Sequence, residues 1–388
     1  MPSPASLPQS TLLIAALIAL SASCSRTEAL PVDASSPHRA RGFELVFDGA
    51  GLLMKSVETG DLLSLWFKSA ADSSGAHTLC PHCEVHMLPD VPRIATWSTT
   101  HVPLLRKAGG AARWVATGYH EKLDSIKYDT SQILDLGGAA GVDKERLLAS
   151  RADVLTSYPF GNPMEGLTTA TGVPVLPLEE YLEQHPLARA EYILLFGWLA
   201  GAPETARVAF DEIERNYLAL REKARSLAAQ NGRPMVFTGS EDAGVWHAPG
   251  GRTLAAQLIR DAGATYLLDS VAKTAGQRGN VQIDVEQMLL LSSRADFWGK
   301  VVYVRGQQGW HRVDALAEVP WLKRDIGLFH CNTAEASYFT QAVVEPDLML
   351  RDLLGIFHGH DVRDIHDVDT SYVYFQPTLP AQPTQRTP

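Results

Sequence analysis

The sequence has little cysteine, no concentrated basic stripe and no apolar run long enough to span a bilayer. Four cysteines occur in 388 residues, and charged residues make up 20% of the chain, with a formal net charge of -10. A protein that grips phosphate backbones needs clustered positive charge, so nucleic acid is excluded as the expected partner. Hydrophobic residues make up 45% of the chain. A globular chain of this length is too long for one small core, and two lobes are therefore expected.

Signatures of catalysis are also missing. The sequence contains no Gly-x-Ser-x-Gly elbow, no Gly-rich phosphate loop that ends in Lys-Ser or Lys-Thr, and no His-Glu-x-x-His motif. An enzyme needs a nucleophile with its base and an oxyanion site, or a set of cofactor-binding signals. We therefore predict that the protein is not an enzyme and has no intrinsic cofactor.

The N-terminus has the layout of an export signal, in which an apolar run over residues 12–20 precedes small residues and Cys24. Residues 21–24 resemble a lipoprotein processing box, whose cysteine is acylated and becomes the first residue of the mature protein. The alternative is an ordinary signal peptide in which Cys24 has no role. Both alternatives predict export, with a signal over residues 1–24 and a Ser-, Pro- and Ala-rich tether over 25–41.

Residues 42–92 predict a small β-rich preface that ends in a Cys/His loop. Apolar runs over 43–47, 52–57 and 62–67 are separated by Asp-Gly and Thr-Gly-Asp turn signals, which favours antiparallel strands. The segment of residues 80–86 then carries Cys80, His82, Cys83 and His86. An exported pair of cysteines at this spacing suits a disulfide, but thiolate and imidazole groups also suit zinc or copper, and free thiols are a third alternative.

Residues 93–185 and 232–360 each alternate short apolar runs with helix-compatible segments, which is typical of βαβ units on a parallel sheet. Between them, the region 186–231 predicts a long helix, with Pro203 in its first turn and Gly232 just past its end. One stripe of this helix carries the apolar residues Phe210, Ile213, Tyr217, Leu220, Ala224 and Leu227. We predict an α/β fold with two Rossmann-like lobes joined by this helix. The alternative is one large α/β domain with a surface helix, and in both cases residues 361–388 form a tail that is largely disordered at its end.

Several segments resemble, in order, the iron-siderophore and vitamin B12 solute-binding proteins of ABC importers, a family with two lobes and a rigid backbone helix. The matching segments are residues 97–101, 135–137, 143–148, 152–155, 180–182, 186–191, 244–246, 249–251, 295–298 and 344–347. The 80–86 segment departs from the family pattern. The resemblance implies a periplasmic, monomeric receptor without catalytic residues. Its ligand would be a ferric siderophore or corrinoid, with haem as a further candidate, and its partners would be the permease subunits in the inner membrane.

The resemblance also implies that the ligand lies in the cleft between the lobes, at the carboxyl ends of parallel strands. Aromatic side chains give broad, rigid contact with a large amphipathic ligand. We expect the ligand-binding residues to be His101, Tyr158 and Phe160 in the first lobe and Trp246 and Tyr338 in the second. The alternative for each is a packed core or hinge residue. Arg189 is the one nearby cation, and its place near the lobe junction favours a structural role.

Permease docking in this family depends on one glutamate on top of each lobe, which meets arginines of the permease. Glu145 and Glu286 fall on the matching positions, each followed by an apolar helix and an Ala-Asp pair. Bidentate Arg contacts to two distant carboxylates would set docking geometry more than affinity. The alternative is that both glutamates are simply favoured by the positive end of the helix dipole.

A second function stays open on sequence alone. The protein would then be an exported metal-binding or redox lipoprotein that acts through the 80–86 segment. In either case, contact with the membrane would be made only through a lipid on Cys24.

Overall fold

The computed structural model describes residues 39–69, 73, 76–123, 127–160, 164, 166–303, 326–359 and 372–378. The predicted signal, Cys24, most of the tether and most of the tail lie outside these residues. The described residues all belong to one compact unit. Within them, no helix combines the length and the apolar content that a membrane crossing requires.

The preface is a four-stranded sheet in the order β1-β2-β3-β4. Its strands are β1 (Phe43–Val46), β2 (Gly51–Lys55), β3 (Leu62–Phe67) and β4 (Glu84–Met87). The predicted antiparallel pairing is found for β1 to β3, whereas β4 adds parallel to β3 after a short helix, α1 (Ala76–Leu79). Alternate residues of β2 point to opposite faces, so Leu52 joins the main core and Leu53 joins a small core beside Cys80.

The first lobe is a fully parallel sheet in the order β7-β6-β5-β8-β9. Its strands are β5 (Ile94–Thr96), β6 (Trp114–Thr117), β7 (Leu134–Asp135), β8 (Val154–Ser157) and β9 (Val175–Pro177). The connecting helices are α2 (His101–Lys107), α3 (Lys144–Ser150) and α4 (Leu167–Thr171). Because all five strands run in one direction, the loops that follow them meet at one edge of the sheet.

A helical region joins the lobes. It consists of α5 (Pro186–Ala190), α6 (Tyr192–Ala200) and α7 (Pro203–Asn231). Helix α7 has 29 residues, begins with Pro203 and is followed by Gly232 at φ 87°, as predicted. It is therefore about 40 Å long. The predicted stripe is buried from Phe210 to Ala224, with Leu227 partly buried.

The second lobe has a five-stranded sheet in the order β13-β10-β15-β16-β17 and a three-stranded antiparallel sheet in the order β11-β12-β14. Its strands are β10 (Met235–Thr238), β11 (Ser240–Asp242), β12 (Val245–Pro249), β13 (Thr265–Tyr266), β14 (Asn280–Asp284), β15 (Phe297–Val302), β16 (Gly327–Asn332) and β17 (Gln376–Pro377). Its helices are α8 (Leu254–Asp261), α9 (Ala272–Ala275), α10 (Val285–Ser292) and α11 (Pro346–His358). The predicted two-lobed α/β architecture with a long helix is confirmed, and α7 packs against α6 and α11.

One boundary differs from the prediction. Residues 372–378 were expected in a tail, but they return to the second lobe, where β17 pairs antiparallel with β16. The buried carboxylate of Asp352 accepts the backbone N–H groups of Val373, Tyr374 and Phe375 at 3.0, 2.7 and 3.2 Å. These three hydrogen bonds, together with the buried rings of Tyr374 and Phe375, hold the segment against the second lobe.

Candidate functional site

A cleft of about 350 Å³ lies where the loops after four first-lobe strands meet. We call it the first-lobe cleft. The loop after β5 contributes residues 98–100, the loop after β6 contributes Tyr119, the loop after β8 contributes Tyr158 and Phe160, and the loop after β9 contributes Glu180 and Tyr181. The second lobe reaches this cleft through Phe339. This is the edge at which parallel α/β sheets bind ligands.

Aromatic side chains form much of the cleft wall. The Tyr158 hydroxyl donates to the Tyr119 hydroxyl at 3.4 Å, and Phe160 is 76% exposed. The hydrogen bond with Tyr158, together with burial, raises the pKa of Tyr119 to about 12. Burial, followed by the charges of Glu179 and Glu180, raises the pKa of Tyr181 to about 12. These phenols are therefore protonated at neutral pH and can donate hydrogen bonds to ligand oxygen atoms.

His101 was expected at the rim, but the structure places it in the interior, where it is 0% exposed. Its Nδ1 lies 3.0 Å from the Thr156 hydroxyl, and its Nε2 lies 3.4 Å from Glu180 Oε2. The Thr100 hydroxyl donates to the other Glu180 oxygen at 2.6 Å. His101 therefore has no exposed surface for a ligand in this conformation, and it holds the loops after β5 and β9 together beneath the cleft.

Glu180 is a buried charge at the base of the first-lobe cleft. Burial alone would raise its pKa, but the charge of His101, a hydrogen bond from His101, the charge of Arg189 and a hydrogen bond from Thr100 together hold its pKa below the ordinary value. The carboxylate is therefore ionised at neutral pH. Arg189, on α5, also lines the cleft, and its buried Nε has no hydrogen-bond partner among the described residues.

A second cavity, of about 540 Å³, lies in the second lobe between the ends of β10 and β15 and the small antiparallel sheet. We call it the second-lobe cavity. Tyr338, a predicted ligand-binding residue, lines this cavity, and Phe339 lines both this cavity and the first-lobe cleft. Lys300, on β15, also lines it, with Nζ 3.7 Å from the centroid of the Trp298 ring. Burial lowers the pKa of Lys300 to about 8.

Trp246 was also expected at the rim, but it is only 1% exposed. Its Nε1 donates to the Thr238 carbonyl oxygen at 3.0 Å, and its ring packs against those of Phe237 and Trp298, which stack on each other. In this conformation Trp246 therefore packs in the core behind the wall of the second-lobe cavity. The tryptophan ring next to Lys300 is that of Trp298.

The lobes touch through residues 337–341, which we call the 337–341 segment. The Thr99 hydroxyl donates to the Phe339 carbonyl oxygen at 3.1 Å, and the Lys127 ammonium donates to the Ser337 hydroxyl at 3.0 Å. The Tyr128 hydroxyl donates to Gln341 Oε1 at 2.7 Å. The Phe339 side chain nevertheless stays 62% exposed. A few polar contacts thus hold an exposed aromatic ring between the two cavities.

Sequence reasoning missed several lining residues, including Tyr119, Lys122, Tyr181, Lys300 and Phe339. Tyr119, Lys122 and Tyr181 lie in loops that follow strands, Phe339 is next to the predicted Tyr338, and Lys300 lies within β15. Tyr119 also has a left-handed backbone with φ 50°, which a sequence does not reveal. For the first lobe, the sequence positions of the strand ends were the available signal for lining residues. Only three side chains, those of His101, Tyr158 and Phe160, were predicted from it.

Cys80 and Cys83 form a disulfide with a Cα–Cα distance of 5.4 Å, so their sulfur atoms are not available as thiolate ligands. The His86 ring stacks on Trp66 with centroids 4.1 Å apart, and its Nε2 lies 3.3 Å from Glu84 Oε2. His82 is exposed. Within the described part of the chain, no three His, Cys, Asp or Glu side chains come together as a metal site.

Glu145 and Glu286 occupy matching places in the two lobes. Each is the second residue of its helix, α3 or α10, and each is exposed. Asp143 caps α3 by accepting the Arg146 N–H at 3.0 Å, and Asp284 precedes α10. The predicted symmetry of position is present, and the role in docking remains a proposal.

The fold matches that of periplasmic binding proteins of known structure. A periplasmic binding protein from Veillonella parvula aligns with a TM-score of 0.56 at 13% identity, over 70% of this chain and 93% of that one. A periplasmic heme binding protein from Pseudomonas aeruginosa gives 0.52 at 19% identity, over 69% and 93%. A possible iron-binding (periplasmic solute-binding) protein from Staphylococcus epidermidis gives 0.50 at 13% identity, over 68% and 98%. No family model and no curated protein matches the sequence. The resemblance is thus confirmed at the level of the fold.

Proposed function

We propose that this chain is the solute-binding receptor of an ABC importer, which captures a metal chelate and delivers it to a membrane permease. A ferric siderophore is the first candidate, and a corrinoid or haem are the others. The observation that carries this proposal is the first-lobe cleft. It lies at the carboxyl ends of parallel strands, is faced by the second lobe, and belongs to a fold whose solved examples include proteins described as heme-binding and as possibly iron-binding.

Capture requires no chemistry in this proposal. The cleft and the second-lobe cavity have volumes in the usual range for small-molecule sites, and Phe339 lies between them. Tyr158 and Phe160 offer aromatic surface from one lobe, and Tyr338 offers it from the other. A large, partly planar chelate would contact these rings on both sides, which favours binding over turnover.

Limited hinge movement follows from the joining helix. Helix α7 is continuous over 29 residues and is packed along a buried stripe, so it resists bending. The hydrogen bonds of the 337–341 segment are few and involve flexible side chains, such as that of Lys127. We propose that these contacts break and reform as the ligand enters, while the lobes move little.

Delivery is assigned to Glu145 and Glu286. Both carboxylates are exposed on first helical turns of separate lobes, where arginines of a permease subunit would read them as a pair. The protein is proposed to be exported to the periplasm, to work as a monomer and to be tethered through a lipid on Cys24.

A ligand titration tests the proposed function. Cyanocobalamin, a ferric hydroxamate, a ferric catecholate and haem are added in turn to the signal-free protein, and tryptophan fluorescence is followed. We expect saturable one-to-one binding of one chelate, weakened at least about tenfold by Phe339→Ala, because this ring faces both cavities. Leu290→Ala removes an exposed apolar side chain outside both cavities and serves as the control.

Binding of none of the four chelates would contradict the receptor function. Zinc or copper uptake in stoichiometric amounts, in the same assay, would favour the metal-binding alternative. That alternative requires reduction of the Cys80–Cys83 disulfide, so we expect no uptake by the oxidised protein.

A further inference from the structure

We infer that the ligand of the two cavities is an anion, so that the cargo is a negatively charged chelate and not a neutral one. This inference rests on the proposed function and narrows its substrate class. The chain has a formal net charge of -10, yet the side chains that line the two cavities include the cations Lys122, Arg189 and Lys300. On a molecule whose net charge is negative, a positively charged cavity attracts anions locally, whereas the net charge of the molecule repels them.

Arg189 is the central cation. It lies on the short helix α5 at the junction of the lobes and lines the first-lobe cleft. Among the described residues no carboxylate comes within ion-pair distance of its guanidinium, although Glu180 acts on it through the longer-range field. Its Nε is buried without a hydrogen-bond partner, which is costly for a charged donor. A planar ligand group with two oxygen atoms would satisfy this donor fork.

Lys300 supplies positive charge from the other side. Its ammonium lies against the Trp298 ring in the second-lobe cavity, and none of the described residues that line this cavity is Asp or Glu. The charge is therefore held by an aromatic face and not by a counter-ion. An anionic group of the ligand would supply the missing counter-charge and stabilise the protonated amine.

Lys122 lies at the cleft mouth, with Nζ 4.5 Å from the centroid of the Tyr119 ring. Its side chain is exposed, so it would steer an anion more than hold it. The only described carboxylate of the cleft, Glu180, is 1% exposed and already accepts hydrogen bonds from Thr100 and His101. Arg189 offsets its negative charge, and with Lys122 the described charged side chains of the cleft carry a formal net charge that is positive. The phenols of Tyr119 and Tyr181 add neutral donors.

Among the candidate cargoes, this arrangement favours a ferric tricatecholate or a haem with free carboxylates, and it disfavours a ferric trihydroxamate and cyanocobalamin, which are uncharged overall. Both favoured ligands present negatively charged oxygen atoms around an aromatic or metal-centred body. The feature that both ligands share, and that the two cavities would recognise, is therefore negative charge beside an aromatic or metal-centred surface.

Matched ligands test the inference. The signal-free protein is titrated with a ferric tricatecholate, a ferric trihydroxamate, haem, haem dimethyl ester and cyanocobalamin at low and at high salt. We expect a charged chelate to bind at least about tenfold more tightly than its neutral counterpart, and raising NaCl from about 50 mM to about 500 mM to weaken only the charged one. Tighter binding of the tricatecholate indicates recognition of catecholate oxygen atoms, and tighter binding of haem indicates recognition of carboxylates.

Variants locate the charge. Lys300→Met keeps the stem on Trp298, Arg189→Lys keeps the charge without the planar fork, and Lys107→Gln removes an exposed cation of α2 that lines neither cavity. We expect Lys300→Met and Arg189→Lys each to weaken the anionic chelate about tenfold, with no effect of Lys107→Gln. Thermal unfolding checks that each variant is folded.

Equal binding of neutral and charged chelates, with no effect of Lys300→Met or of salt, overturns this inference and leaves the receptor function intact. Failure of every chelate to bind contradicts both.

Discussion

At the scale of single residues, the first-lobe cleft depends on a buried carboxylate at its base. Glu180 receives hydrogen bonds from Thr100 and His101 and feels the charge of Arg189, so it ties the loops after β5 and β9 to the joining region. Such a network fixes the positions of Tyr181 and Thr99 on the cleft wall more firmly than apolar packing would. Removing one member leaves the others buried without partners.

Replacing Glu180 with Gln should therefore destabilise the protein. The amide still accepts from Thr100 but removes the negative charge beside His101 and Arg189. We expect a loss of about 2–4 kcal/mol in the free energy of unfolding, measured by urea denaturation. Glu145→Gln changes an exposed carboxylate and should stay within about 0.5 kcal/mol of the unmodified protein. Equal stability of the two variants would show that the Glu180 network contributes nothing.

His185 gives a pH dependence with a defined sign. Burial, partly opposed by Asp261, lowers its pKa from 6.5 to about 4, and its Nδ1 accepts the Leu187 N–H at 3.1 Å to cap α5. The neutral ring is therefore favoured by folding. Its contribution to stability is complete above pH 6.5 and is lost as the pH falls from there through about 4, because the unfolded chain binds the proton first.

His185→Asn keeps a cap acceptor and removes the titration. We expect the free energy of unfolding of the unmodified protein to fall by up to about 3 kcal/mol more than that of the variant between neutral pH and about pH 4. Glu183, whose pKa burial raises to about 7 against hydrogen bonds from Arg41 and Gly42, acts in both proteins and cancels in the difference. Parallel pH profiles would refute the assignment to His185.

At the scale of elements, Gly239 fixes the turn from β10 into β11 and lines the second-lobe cavity. It has φ 108°, and a methyl group there would collide with the His247 carbonyl oxygen. Gly244 has φ 82° but has open space around it, so it isolates the cost of the backbone conformation. We expect Gly239→Ala to cost at least about 2 kcal/mol more than Gly244→Ala in thermal or urea unfolding. A smaller difference would mean that the β10–β11 turn relaxes easily.

Elements with long internal periodicity were predictable, and elements paired with distant partners were not. Helix α7 has a buried stripe and end signals of its own, so both ends were predicted from local residues. Strand β14 alternates polar residues with only Ile283 buried, and its identity comes from pairing with β12, more than thirty residues earlier. The position of His101 was similarly hidden, because its partner Glu180 comes from a different strand-end loop.

At the scale of the whole molecule, binding and docking should be separable. The proposed docking glutamates lie on first helical turns of α3 and α10, and neither lines the first-lobe cleft or the second-lobe cavity. The double variant Glu145→Ala with Glu286→Ala should therefore keep its chelate affinity within about twofold and lose binding to permease reconstituted in nanodiscs.

The matched control is Glu204→Ala with Glu222→Ala, which removes the same charge from exposed positions of α7. This control should bind the permease normally. Loss of permease binding in both double variants would point to net charge, and loss in neither would refute the docking surface.

The packing of residues 372–378 on the second lobe limits how far the chain can be truncated. Strand β17 lies along the outer side of β16, and Thr378 extends the contact by donating its N–H to the Leu328 carbonyl oxygen at 2.7 Å. Ending the chain at residue 360 would strip the last strand from the sheet and uncover a row of backbone donors and acceptors. An uncovered strand is a template on which another molecule can add its own. A protein truncated at residue 360 should therefore self-associate, whereas one truncated just after Thr378 should keep β17 paired with β16.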